Sequence, residues 1–548
     1  MSITTRSEAS LATSQPPSGR IVREMVEGAL GMSRAALVAS AGLIPRFKIG
    51  DHFFCEPDYQ QIMLWAESLH FEPHKVVEYL LKPRIWWGGA PGQTHIENGR
   101  ILTLLLDGNL LPLSNLNWVD GLVVEAFAFL GSVAWQKDSG RLLPIKLPQL
   151  RRLFCDRLKS PIVDLAGKPF LSEITCYSCE IAEIDLTEVP SLTKLVCCNN
   201  QLEELDLSKV PLLAELNCGQ NQIATLDLSR VPRLSKLCCA DNQLNELDLS
   251  HLPLLVELDC ENDQLAEIEY QLGEKEDAEC GNNQIPELDL SNVPHLTKLK
   301  CAGNAINALD LSSVPLLTEL DCSNNQLGSI NLSKVPLLTK LSCDGNPIGS
   351  ISFQGAPLLS KLSCNECGLT KIDPTQLLNL KSLDCGANSI RQLDLVASPQ
   401  LTHLRCGFNQ MVKLNLTGVP LLAELDCSNN LLTDLELSRT PNLEKINCME
   451  NNLKKLPLQF LPALKYLSCA GNRLTELDLS GTPKLEFLLC MGNELSELRL
   501  SNLRLLKSLF CYGNKLSVLD IRGLSALQEL QAHFPPGNPR GLPPRLIV

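Results

Sequence analysis

The residues whose type and spacing suit them to chemistry are the 23 cysteines. Cys176 with Cys179, and Cys364 with Cys367, form C-x-x-C strings. That spacing serves zinc sites and dithiol redox centres, because thiolates are both metal ligands and nucleophiles. Cys198 and Cys238 stand apart as candidate reactive thiols. The 8 histidines do not cluster, and no nucleophile elbow, P-loop, dinucleotide fingerprint or H-E-x-x-H occurs. What any thiol can do depends on the element that carries it.

Eighteen of the cysteines, from Cys155 to Cys511, recur every 21 residues, apart from one interval of 20 between Cys260 and Cys280. Around them runs L-x-x-L-x-C-x-x-N-x-L, as in Leu213, Leu216, Cys218, Asn221 and Ile223, or Leu422, Leu425, Cys427, Asn430 and Leu432. The second half reads L-x-x-L-D-L-S-x-x-P, as in Leu205, Asp206, Leu207, Ser208 and Pro211. A fixed period of this length means stacked rungs. Period-two alternation sends Leu and Cys inward and the residues between them to a concave face. Cys, a small hydrophobe, lets a thin rung close. The Asn, present in 14 of the 18 units, suits the backbone groups where the strand leaves the sheet. Leu158, Cys179, Asp263 and Cys367 are the departures. The Ser-x-x-Pro half predicts a turn or short helical loop, with the hydroxyl satisfying local N–H groups. Both C-x-x-C strings therefore occupy the ladder and Asn positions, about 43 Å apart by strand spacing. The expectation is no metal, no cofactor and free thiols, since in-register parallel neighbours project side by side.

This frame resembles the leucine-rich repeat, and more closely the bacterial 21-residue repeats with a cysteine ladder of the internalin J type. The resemblance covers roughly residues 96–533. It implies an α/β repeat solenoid: a right-handed solenoid with a concave parallel β-sheet, a small N-terminal helical module and a short Pro-rich C-terminal cap. Residues 1–19 read as a flexible tail, 20–95 as the helical module, 96–533 as about 21 rungs, and 534–548 as the cap. Helices are expected over Arg20–Ser40, from Asp58 through Leu69 and from Pro73 through Lys82. Trp86-Trp87-Gly88-Gly89 before Asn98-Gly99-Arg100 resembles the opening of many leucine-rich domains. Ile101, Leu104, Leu106, Asn109 and Leu111 fit the frame with Leu at the Cys position. Phe127, 21 residues beyond Leu106, marks a degenerate rung, followed by an insertion near 134–141. In the irregular rung 268–283, Lys275 and Ala278 replace the strand leucines, so an under-filled, kinked rung is expected. Past Cys511, Ala532 takes the ladder position, and the Pro-rich end is not expected to continue a parallel sheet.

A net charge of -14 argues against a nucleic-acid binder, and it resides beyond residue 150 because the first part is nearly neutral. No run of about 18 apolar residues suggests a membrane span, and the N-terminus lacks the pattern of a Sec signal peptide. Many cysteines without a signal peptide fit a reducing cytoplasm, with a secreted effector lacking a Sec signal as the alternative. Only about 16 residues follow the last rung, too few for the ubiquitin-ligase domain that some leucine-rich effectors carry.

Outward positions should form the binding surface. Three residues before successive cysteines stand Glu173, Lys194, Glu215, Lys236, Glu257, Asp277, Lys298, Glu319, Lys340 and Lys361, mostly a self-neutralising ladder. Towards the C-terminus the outward residues become Met449, Tyr466, Phe487, Leu489, Met491, Phe510 and Tyr512, types enriched at interface cores. Phe154, Tyr177 and Val196 form a smaller set near the start. The reading is a non-enzymatic scaffold that binds a partner protein through its concave face. The alternatives are a secreted effector acting on host proteins and a regulatory protein whose N-terminal module carries the activity.

Overall fold

The structure, a computed structural model, describes residues 46–49, 52–69, 72–81, 95–97, 100–107, 126–130, 141–142, 149–157, 162–163, 165–261, 283–532 and 545–547. In the N-terminal module two helices, Glu56–Leu69 and Pro73–Leu81, stand where expected. Pro73 opens the second, a position where its missing N–H costs nothing. Ile62, Trp65 and Ala66 lie on one face of the first helix and are buried, as are Val76 and Val77 of the second. The module is not wholly helical: Arg46–Ile49 and His52–Cys55 pair as an antiparallel hairpin. The expected helix Arg20–Ser40 lies outside the described residues. The helix Pro73–Leu81 lies against the first solenoid strand, Arg100–Asp107.

That strand pairs antiparallel with His95–Glu97. From Arg100–Asp107 onward the strands pair in parallel, each with the rung before and the rung after, to Glu529–Gln531. The register is one repeat per strand, as in Leu195↔Leu216 and Leu216↔Leu237. Those leucines and the described ladder cysteines are buried, along with Leu205, Leu207, Val210 and Leu213 from the rest of the rung. The core is thus one continuous apolar column, filled once per repeat.

The Asn ladder closes each rung on the next. Asn221 Nδ2 donates to the carbonyls of Cys218 (2.9 Å) and of Cys197 one rung back (3.0 Å), while its Oδ1 accepts the Leu202 N–H at 3.0 Å. Asn242 repeats this on Cys239, Cys218 and Ile223. A buried amide with donors and acceptor all satisfied is stable in the core. On the convex side the chain makes turns rather than helices. Their anchor is the Asp and not the Ser hydroxyl expected: Asp206 Oδ1 accepts the Ser208 N–H at 2.8 Å, and Asp227 accepts that of Ser229 at 2.9 Å. A carboxylate is the stronger acceptor and reaches two residues on, the Asx-turn geometry.

Three expectations are corrected by the register. Leu106 pairs with Phe129, and Phe129 with Cys155, so Phe129 rather than Phe127 holds the ladder position. A two-residue slip keeps the inward parity, which is why alternation alone did not expose it. Arg141, placed in an insertion, begins a short strand pairing with Ile162–Val163, itself paired with Glu183–Ile184. The C-terminal Arg545–Ile547, beyond the prolines, does pair in parallel, with Val518–Asp520 on the outer side of the rung.

The unit carrying Cys280 adds no rung between those of Cys260 and Cys301. Glu257–Asp259 pairs directly with Lys298–Lys300, and the Cys260 N–H donates to Lys300 O at 2.8 Å. Asn283 fills the Asn place of the Cys260 rung, donating to Cys239 O at 3.0 Å and accepting from Leu244 N at 3.0 Å. Residues 262–282, with most of the irregular rung, lie outside the described residues.

Candidate functional site

Three residues of each rung reach the concave face: those three and one before the ladder cysteine and the one after it. Repetition stacks them into three columns about 4.8 Å per step. The first column is charge-paired through the N-terminal half. Lys194 lies 2.9 Å from Glu215, Glu257 lies 3.4 Å from Lys236 and 3.2 Å from Lys298, and Lys340 lies 3.3 Å from Glu319. These pairs are exposed, so each contributes little stability. They do neutralise that part of the face.

At the C-terminal end the same columns turn apolar. Tyr466 pairs in register with Phe487, their ring centroids 6.3 Å apart and tilted. Lys445 on the preceding strand places its ammonium 5.6 Å from the Tyr466 ring centre, a cation–π contact. Leu489 pairs with Phe510 in the middle column. In the third column Met449, Ala470, Met491 and Tyr512 follow one another, tied by the N–H bonds of Glu450, Gly471 and Gly492 to the next rung. Phe487 is 37% exposed and the other six expected residues are half-buried. Ser468 and Ser508, small and buried, pair with Leu489 and Phe487 respectively. The seven residues therefore share one surface. The described part of the C-terminal tail, Arg545–Ile547, pairs with Val518–Asp520, and residues 533–544 lie outside the described residues.

The N-terminal set is less coherent. Tyr177 is 42% exposed and Val196 half-buried, but Phe154 is buried. Thr175 stands between Phe154 and Val196 in their column, so these side chains form no continuous apolar surface.

The candidate chemistry at sulfur takes a structural form. Cys179 and Cys367 occupy Asn positions: Cys367 Sγ donates to Cys343 O at 3.1 Å, as the Asn amide does elsewhere. Lacking the Asn acceptor, it leaves Ile348 N–H to bond Asn346 O at 2.8 Å instead. The described cysteines from Cys155 to Cys511 are free thiols. Burial raises those of Cys198 and Cys238, the latter to about 12 with Asp259 adding to the effect, which opposes thiolate reactivity. Among the described residues no group of three His, Cys, Asp or Glu is placed to hold a metal, and no helix is long and apolar enough to cross a membrane.

One residue escaped the sequence reading. Phe408, two after Cys406, is 64% exposed at φ 54°. Its column elsewhere holds residues such as Asn199, Gln220, Gly471 and Gly492, so an aromatic there was the available signal.

No family model matches the chain, and no curated protein does. Solved structures do. The functional domain of InlJ from Listeria monocytogenes, which includes a cysteine ladder, is 30% identical over 62% of this chain and 73% of its own, with TM-score 0.47. YopM from Yersinia enterocolitica is 24% identical over 78% of this chain and 86% of its own, with TM-score 0.57. The ectodomain of the Arabidopsis thaliana receptor kinase GASSHO1/SCHENGEN3 is 19% identical over 87% of this chain and 61% of its own, with TM-score 0.63. The repeat frame, the parallel ladder and the shared fold together make the chain a leucine-rich-repeat protein, with a cysteine ladder along the inner side of its strands.

Proposed function

We propose that this protein is a non-enzymatic recognition scaffold of bacterial type, cytoplasmic, which binds a partner protein through the C-terminal part of its concave face. The observation that carries the reading is the register of Tyr466 with Phe487 and of Leu489 with Phe510, flanked by Met491 and Tyr512. Aromatic and Met side chains on a rigid sheet lose little freedom on binding and supply the anchors that dominate interface energies. The GASSHO1/SCHENGEN3 ectodomain, of the same fold, is solved in complex with Casparian strip integrity factor 2. The buried thiol column suits a reducing compartment.

A photo-reactive benzoylphenylalanine at position 510 tests the surface, with the same probe at Phe170, which is 49% exposed away from the patch, as control. The reading expects a discrete protein adduct from position 510 and none from 170. Equal labelling from both positions would contradict it.

A further inference from the structure

The run of charge pairs in the first column, from Lys194 to Lys340, ends in the middle of the concave face. Lys361, Ser382 and His403 occupy successive rungs of the first column, in the register Lys361↔Ser382↔His403. The lysines before them, at 194, 236, 298 and 340, each have a carboxylate within 3.4 Å. Lys361 instead faces Lys340 on one side and Ser382 on the other, and no carboxylate pairs with it among the described residues. The half-buried Ser382 hydroxyl has no partner among them either. Glu424, in register with His403 on its other side, lies 3.9 Å from Arg405, and two other acids nearby are also engaged. Asp344 accepts from the Ser363 hydroxyl at 2.7 Å and the Asn365 N–H at 2.6 Å, and Asp384 lies 3.8 Å from Arg405.

The imidazole has a defined role in this group. Thr402 Oγ1 gives its single proton to Lys381 O at 2.9 Å, so across 2.8 Å to His403 Nδ1 it accepts. The ring therefore carries a proton on Nδ1, which leaves Nε2 to meet a ligand. A short serine between two longer side chains makes a notch about 10 Å wide at the backbone. It opens into a recess of about 580 Å³.

The geometry points to an oxyanion site in this notch, and the donor set selects a phosphomonoester carried on a partner protein's side chain. Lys361 and Ser382 donate to oxygens, and Nε2 of His403 meets a third oxygen across one shared proton. A carboxylate has only two oxygens for these three groups. A phosphomonoester has three outer oxygens, one for each. The recess is open to solvent, so a free phosphate ion would stay largely hydrated. The same group on an extended segment adds contacts across neighbouring strands. This proposal rests on the recognition reading for its class of partner but on different residues from the C-terminal patch.

The test immobilises the full-length protein and applies labelled peptide pools, degenerate except for a central phosphoserine, serine or glutamate. The phosphoserine pool is expected to be retained at least tenfold over the other two. Lys361→Met with His403→Phe should remove that excess, and Lys236→Gln, in the same column, should leave it. Equal retention of the phosphoserine and glutamate pools would overturn the proposal, as would an excess that survives in a double variant with unchanged circular dichroism and melting temperature. The pair Phe487→Ala and Phe510→Ala leaves the phosphoserine excess intact, which separates this site from the patch.

Discussion

Glu257 pairs in register with Lys298, and their charged groups lie 3.2 Å apart, although 41 residues separate them along the chain. The intervening unit would set Asp277 against Glu257, a like-charge pair, and Lys275 and Ala278 where other rungs bury leucine. Each substitution disfavours a rung. Passing directly to Lys298 keeps Glu257 between two lysines and lets Asn283 complete the rung.

Deleting residues 263–282 should therefore leave the solenoid intact. The deletion places Asn283 three residues after Cys260 and restores the frame Cys260-x-x-Asn283-x-Ile285. The variant should melt within a few degrees of the parent, with its ladder thiols equally slow to react before unfolding. Loss of cooperative melting would show that the Cys280 unit is part of the ladder.

The Asn ladder predicts a graded series. Asn221→Ala strands the Leu202 N–H, at about 1–3 kcal/mol for an unsatisfied buried group, while the Cys197 and Cys218 carbonyls each drop from two donors to one, from Asn200 and Asn242. Asn221→Cys should cost less, because Cys367 in the same role retains a donor to the carbonyl one rung back. Urea midpoints rank the two, and amide exchange at Leu202 localises the effect. Equal losses would refute the hydrogen-bonding role given to the thiol.

Phe408 holds a left-handed backbone at φ 54° with its ring exposed. Phe408→Gly should stabilise the protein by about 0.5–1 kcal/mol, since a non-glycine residue pays more than that in this region. Phe408→Ala, which keeps the Cβ, should gain less. A destabilised glycine variant would mean that the ring packs in a way its exposure does not suggest.

The convex turns carry a pH signature. The Asp206 and Asp289 carboxyls are held below the usual range by the N–H, then the hydroxyl, of Ser208 and Ser291; for Asp227 and Asp248 the Ser229 and Ser250 hydroxyls come first. Folded values below unfolded ones give stability that is complete above the ordinary carboxylate range. It is lost as pH falls through the lowered folded values. Asp227→Asn with Asp248→Asn keeps an acceptor that cannot be protonated. It should flatten the fall of melting temperature on the acid side, and an unchanged acid profile would remove these turns from the account.

The fold was legible because Leu, Cys and Asn repeat without drift over most of the chain, and each buries or bonds in the same way at every rung. Phe129 was misplaced because parity cannot resolve a two-residue slip. The bypass at Glu257 was not legible because spacing assumes that every unit enters the ladder, whereas pairing depends on charge and core volume. In the C-terminal set, outward parity sufficed to bring Tyr466, Phe487, Leu489 and Phe510 together. Parity failed for Phe154, which faces outward yet is buried. The Lys361–Ser382–His403 notch needed the hydrogen bonds of the neighbouring acids, and spacing does not contain them.

The most direct test of the recognition surface is the double variant Phe487→Ala with Phe510→Ala, read by photo-cross-linking from position 491 alongside a melting curve. Both rings are partly exposed, so their removal should leave the melting temperature within a few degrees while abolishing the cross-linked partner. A partner still captured by the well-folded variant, or a loss of capture that merely follows a collapse in stability, would contradict the account.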